Sequence, residues 1–192
     1  MNASAALELF LDAHRLKCTP RTGWVMRGVV DAESVADHSF GVAFIALVLG
    51  EMVDQPLDRA KLLTIALLHD LQESSIGDIP MPVTRHLPPS AKYEAEQSAL
   101  KELLDQLPWS EDWLSWWQEF EQNTSIEGQI VRDADQLDML IQAHIYEQTT
   151  GNRYLAEFWP PLQEASFNFP AAQAIYEQLV TQREHPAVRS AV

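Results

Sequence analysis

Apolar residues recur along this chain at helical spacing, and no stretch alternates apolar and polar positions long enough to predict a strand. Residues 3–17 put Leu7, Phe10, Leu11 and His14 on one face. Pro20 and Gly23 then mark a loop. Ser34 with Asp37 three positions later resembles a capping box, so a helix is expected from Val35 to about Val53, before Pro56. Asp58 can cap the next helix, over about 59–75, with Gly77 as its stop. Pro80, Pro82, Pro88 and Pro89 make 76–89 a loop. Ser90 opens a helix to about 106, broken by Pro108. Residues 110–121 carry Trp113, Trp116, Trp117 and Phe120 on one broad face, a stripe that suits core packing better than a binding site. Further helices are expected over about 125–149, 153–158 and 170–183. The chain reads as all-α, a single domain over 1–185 with 186–192 as a frayed C-terminal tail.

Composition narrows the class. A chain of 192 residues with 46% apolar content suits one globular domain. The single cysteine, Cys18, leaves no disulfide framework and points to a reducing, cytoplasmic setting. Residues 1–17 lack the pattern of a signal peptide. The longest apolar run, Phe40 to Gly50, is flanked by His38 and Glu51; it is short for a bilayer and is expected to be a core helix, with no membrane partner. A net charge of −15 argues against binding a nucleic-acid polymer. Against that balance, Arg15, Lys17, Arg21 and Arg27 fall in a window, 13–30, that holds no acid. A solvated basic face and an attractor for a small anion suit that window equally well.

The segment "LLHDLQESSIGDIP" at 67–80 puts His69, Asp70 and Glu73 on neighbouring parts of one helical surface, with Asp78 just past its end. An earlier helix carries Asp37 and His38 in its first turn, and a later one carries Asp133, Asp135 and Asp138 among apolar residues. Acids in a helical core need something to neutralise them. Imidazole and carboxylate together suit a divalent ion such as Zn, Mn, Co, Fe or Ni. Taken singly, each residue has a plainer role. His38 can be a hydrogen-bonded core histidine, Asp70 a local cap or pair, Asp135 part of a solvated face and Asp78 turn chemistry. The case for a metal rests on the set.

That set resembles a known pattern. His38, His69-Asp70 and Asp135 match the H…HD…D signature of the HD-domain metal-dependent phosphohydrolases. Four blocks, "LKCTPRTGWVMRGV" at 16–29, "ESVADHS" at 33–39, "HDLQESSIGDIP" at 69–80 and "DADQLDMLIQA" at 133–143, are similar to the HD-domain 5′-deoxynucleotidases. The resemblance implies an orthogonal α-helical HD bundle. It implies removal of phosphate from a deoxyribonucleoside 5′-monophosphate by attack of metal-bound water. It assigns His38, His69, Asp70 and Asp135 to a divalent ion, with Mn, Co, Zn, Ni, Fe and Mg all admitted. Glu73 and Asp78 become the catalytic acids, or the holders of a second ion. Trp24, expected to stack on base or sugar, and Arg21 or Arg27 become substrate contacts. A homodimer is implied as well. Gly23 stands where YfbR-like members have arginine before the tryptophan, which leaves selectivity at the sugar open. The alternatives are an HD fold that holds metal or nucleotide without turnover, and one that acts on another phosphoester.

Overall fold

Each long apolar stretch of the chain is helical in the computed structural model, which describes residues 3–160 and 164–185. The helices are α1 (Ala3–Arg15), α2 (Thr22–Val25), α3 (Val35–Met52), α4 (Arg59–Leu68), α5 (Glu73–Ile76), α6 (Met81–Thr84), α7 (Ala91–Leu104), α8 (Ser110–Glu121), α9 (Ile126–Thr150) and α10 (Pro170–Glu184). Leu16–Cys18 and Arg153–Phe158 are 3₁₀ turns. No strand forms among the described residues. The all-α expectation therefore holds. The expected frayed tail at 186–192 lies outside the described residues.

Local signals act where the sequence placed them. Ser34 and Asp37 form a reciprocal capping box at the start of α3. The Asp58 carboxylate accepts from the Ala60 and Lys61 amides and starts α4. Gly77 ends α5 with φ of 74°, a conformation that costs a side chain dearly.

Two readings need correction. The expected loops, one marked by Pro20 and Gly23 and one over 76–89, contain the short helices α2 and α6. More consequential, the expected helix over 59–75 breaks at His69. The Leu71 and Glu73 amides donate to the Leu68 and Asp70 carbonyls, one residue tighter than an α-helix allows. The His69 carbonyl accepts instead from Gln72 Nε2 and Trp117 Nε1, at 2.9 and 3.2 Å. The His69-Asp70 pair thus sits on a turn between α4 and α5, held from across the core by α8.

The main core forms where α3, α4 and α9 meet. Val42, Ala46 and Leu49 pack with Leu62, Ile65 and Ala66, and with Ile130, Ala134, Leu137 and Leu140. A second cluster joins Leu16, Val35, Leu68, Leu100 and Trp117. The tryptophan stripe of α8 is core, with Trp117 fully buried. By length and composition α3 is apolar enough to cross a membrane; one face of it is built into this core, while Phe40, Phe44, Val48 and Met52 form an exposed row on another.

The segment leading into the C-terminal helix is moored by one acid. Asp133, buried in α9, accepts from the Asn168 amide, the Asn168 side chain and the Phe169 amide at 2.8, 2.8 and 2.9 Å. Asp133→Ala leaves the Asn168 and Phe169 backbone amides without an acceptor. It is expected to lower stability by about 3 kcal/mol in urea unfolding, while metal content stays unchanged.

Candidate active site

Residues 19–35 form a loop closed at its neck. Arg21 N–H donates to the Glu33 carbonyl at 3.0 Å and Val35 N–H to the Thr19 carbonyl at 2.8 Å. The loop carries Arg21 and Trp24 over the His69-Asp70 turn. Asp78 fastens it from below: the carboxylate accepts the Thr22 amide and the Asp78 carbonyl accepts the Thr22 hydroxyl at 3.1 Å. Between loop and turn lies a cleft of about 260 Å³.

Three helices bring the metal candidates together on one side of that cleft. His38 comes from the first turn of α3, His69 and Asp70 from the turn after α4, and Asp135 from the middle of α9. The two Nε2 atoms stand 3.3 Å apart. Asp135 Oδ1 is 3.2 Å from His38 Nε2. Asp70 Oδ2 is 3.3 Å from His69 Nε2 and 3.6 Å from His38 Nε2.

The other ring nitrogens tell what this convergence needs. His69 Nδ1 lies 2.8 Å from the Ala66 carbonyl, which only accepts, so the hydrogen is on Nδ1. His38 Nδ1 lies 2.8 Å from Asp138 Oδ2 and donates likewise. In the neutral rings both Nε2 atoms are then bare lone pairs, aimed at one place together with carboxylate oxygens. Ligands of one cation, with bonds near about 2 Å, stand roughly 3 Å apart, as these do. The donor set therefore fits a divalent cation.

Charge gives the same answer. Arg21 reaches Asp70 at 3.1 Å, yet Asp70, Glu73, Asp78 and Asp135 all act on it. Burial pushes Asp70 up, but His69 and Arg21 outweigh it and hold the carboxyl well below the usual range. Burial and Arg21 push His38 down, but hydrogen bonds to Asp135 and Asp138 prevail and raise it to about 10. Glu73 is buried with Oε2 unpartnered, and burial followed by the charges of Asp70 and Asp78 pushes its carboxyl up to about 9.

The substrate-side residues divide. Arg21, Arg27, Trp24, Glu73 and Asp78 all line the cleft. Arg27 is tied to Glu157 at 3.0 Å and lies over the Phe158 ring. Trp24, expected to stack on base or sugar, has little free surface. It is 2% exposed, packed by Phe158 and Tyr146, with Nε1 donating to Glu33 at 2.8 Å. It is a wall of the cleft. A Cβ at Gly23 would meet the Phe158 ring only at 3.5 Å, an ordinary contact. Glu73 and Asp78, expected as holders of a second ion, share no three-ligand nest within 4.8 Å among the described residues.

Sequence reasoning missed Lys92 and Phe158, both in the cleft wall, and the contact of Asp138 with His38. Lys92, held by Glu96 at 3.3 Å, gave no signal beyond a charge on a surface-like helix. Asp138 was visible as an acid in α9, but its partner was not.

Comparison with known proteins places this geometry in context. A model of the HD domain matches residues 13–165. The human 5′-deoxynucleotidase HDDC2 is 30% identical over 183 residues, covering 94% of this chain and 87% of that protein. The 5′-deoxynucleotidase YGK1 of Saccharomyces cerevisiae is 35% identical over 158 residues, covering 74% and 67%. A conserved hypothetical protein from Pyrococcus furiosus superimposes with a TM-score of 0.77 at 39% identity, covering 93% of this chain and 99% of that one.

A cation entering this site must displace a proton from the His38 imidazole. A group raised to about 10 is still protonated at neutral pH. Affinity for Co²⁺ is therefore expected to strengthen as pH rises from 6 to 8, about tenfold per unit for each proton released. Calorimetry in buffers of different ionisation enthalpy counts the protons; affinity independent of pH would show that His38 is neutral beforehand.

Proposed function

The chain belongs to the HD-domain family, and from that premise we propose that it hydrolyses deoxyribonucleoside 5′-monophosphates to the deoxynucleoside and phosphate. The observation that carries the reading is the meeting of two imidazole Nε2 atoms and two aspartates at the side of a cleft lined by Arg21. His38, His69, Asp70 and Asp135 would hold the ion, with Mn, Co, Zn, Ni, Fe or Mg compatible with such ligands. A divalent cation bound there supplies Lewis acidity to the phosphate and lowers the pKa of water.

The chain's own groups do the rest. Arg21 stays cationic and carries paired N–H donors suited to a phosphate that bears two charges. Its bond to Asp70 fixes where those donors stand. Asp78 holds the loop on which Arg21 rides, so its part is to fix the anion site. Glu73 keeps its proton near neutrality in the buried cleft and can pass it to the departing 5′ oxygen. Trp24 and Phe158, packed on each other in the cleft wall, give the nucleoside an apolar surface without reading its base. The exposed row of Phe40, Phe44, Val48 and Met52 supports pairing of two copies of the chain.

The test is phosphate release from paired deoxy and ribo 5′-monophosphates and a 3′-monophosphate. Metal-stripped protein is resupplied with single ions, and Asp70→Ala serves as the blank. Metal-dependent release from the 5′-deoxy members is expected. Protein that binds an ion and releases nothing would make this a binding module. Glu73→Gln is expected to keep the ion and lose about a hundredfold or more in turnover, the usual size of a proton-transfer contribution.

A further inference from the structure

We propose that Asp138 is the residue that positions the imidazole of His38 for its ion, in a recess that Gly41 keeps open. The inference rests on the metal-centre reading above and adds a residue outside the ligand set.

The His38 ring is gripped at both nitrogens from one helix. Asp135 Oδ1 faces Nε2 at 3.2 Å, and Asp138 Oδ2 accepts from Nδ1–H at 2.8 Å. Three positions on an α-helix turn the side chain by about 300°, so Asp135 and Asp138 point within about 60° of each other. Both face α3. The grip settles two things at once. It keeps a hydrogen on Nδ1, so that Nε2 is the nitrogen that gives up its proton to a cation, and it fixes the pitch of the ring. A carboxylate behind an imidazole also makes the far nitrogen a stronger donor to a cation. His69 receives only a carbonyl, that of Ala66, in the same place.

Gly41 is the second observation. It lies on α3, three positions after His38, in the interior of an 18-residue helix. Glycine costs about 1 kcal/mol against alanine there. A Cβ at this position would stand 2.0 Å from Asp138 Oδ1 and 2.8 Å from its Cγ. The missing side chain is the space the carboxylate occupies. A third acid, Glu33, lies within 4.8 Å of the pair but is engaged by Trp24 Nε1. That leaves Asp138 to take the imidazole.

The experiment reads Co²⁺ affinity by titration, alongside thermal unfolding in chelator. Asp138→Asn is expected to weaken Co²⁺ binding about tenfold and Asp138→Ala up to about a hundredfold, with metal-free unfolding temperatures close to that of the parent. Gly41→Ala leaves every ligand and Asp138 chemically intact, yet is expected to weaken Co²⁺ binding about tenfold by displacing the carboxylate. In the double variant Gly41→Ala/Asp138→Ala, the added methyl meets no carboxylate, so affinity should be no weaker than in Asp138→Ala alone. A purely packing role would lower the unfolding temperature in chelator and leave Co²⁺ affinity within twofold, and that result overturns the proposal. Should the Asp138 variants fail to fold, Gly41→Ala decides by the same criterion. A parent chain that takes up no Co²⁺ sinks the functional reading and this one together; a parent that binds, with variants that bind equally, sinks this one alone.

Discussion

The constraint on which this structure depends is electrostatic. Lone pairs and carboxylates from three separate parts of the chain are driven to one spot by a core that is otherwise apolar. Left alone they repel one another and lose their water. The fold answers with Arg21 on one side and with a His38 imidazole that takes up a proton, and both answers are provisional. A divalent cation is the fuller answer, because its charge offsets the acids at the distance where they crowd most closely.

The rest of the architecture can be understood as delivery of those groups. The capping box at Ser34 and Asp37 fixes the first turn of α3 and with it His38. The turn at His69 exists because Gln72 and Trp117 claim a carbonyl that a continuous helix would have used itself. Breaking the helix lets adjacent residues, His69 and Asp70, face the same point, which two neighbours inside an α-helix, about 100° apart, do not readily do. In α9, three acids spaced over six residues have three separate employments. Asp133 moors the segment leading into α10, Asp135 faces the cleft, and Asp138 backs His38.

Much of this was legible in the sequence because it is local. Capping residues, prolines and apolar spacing mark most of the helices, and the four ligand candidates follow from residue type and family resemblance. What was not legible depends on partners distant along the chain. The break at His69 needs Trp117, 48 positions later. Trp24 in a glycine-containing loop reads as a residue free to stack on base or sugar; Phe158 and Tyr146, arriving from far along the chain, pack against it. The differing duties of Asp133, Asp135 and Asp138 follow from which helices α9 touches on each side. Residue type alone does not carry that information.

The spacing of those three acids has a consequence for how this chain tolerates change. Each residue added to an α-helix turns everything beyond it by about 100° and advances it by 1.5 Å. A single insertion or deletion between Ser125 and Asp133 would therefore swing all three carboxylates off their targets at once, undoing the C-terminal mooring, the cleft and the backing of His38 in one event. Length variation of this chain should accumulate in loops such as 85–90, where a residue gained or lost rotates nothing downstream, and α9 should be inherited as a unit of fixed length from its cap to Asp138.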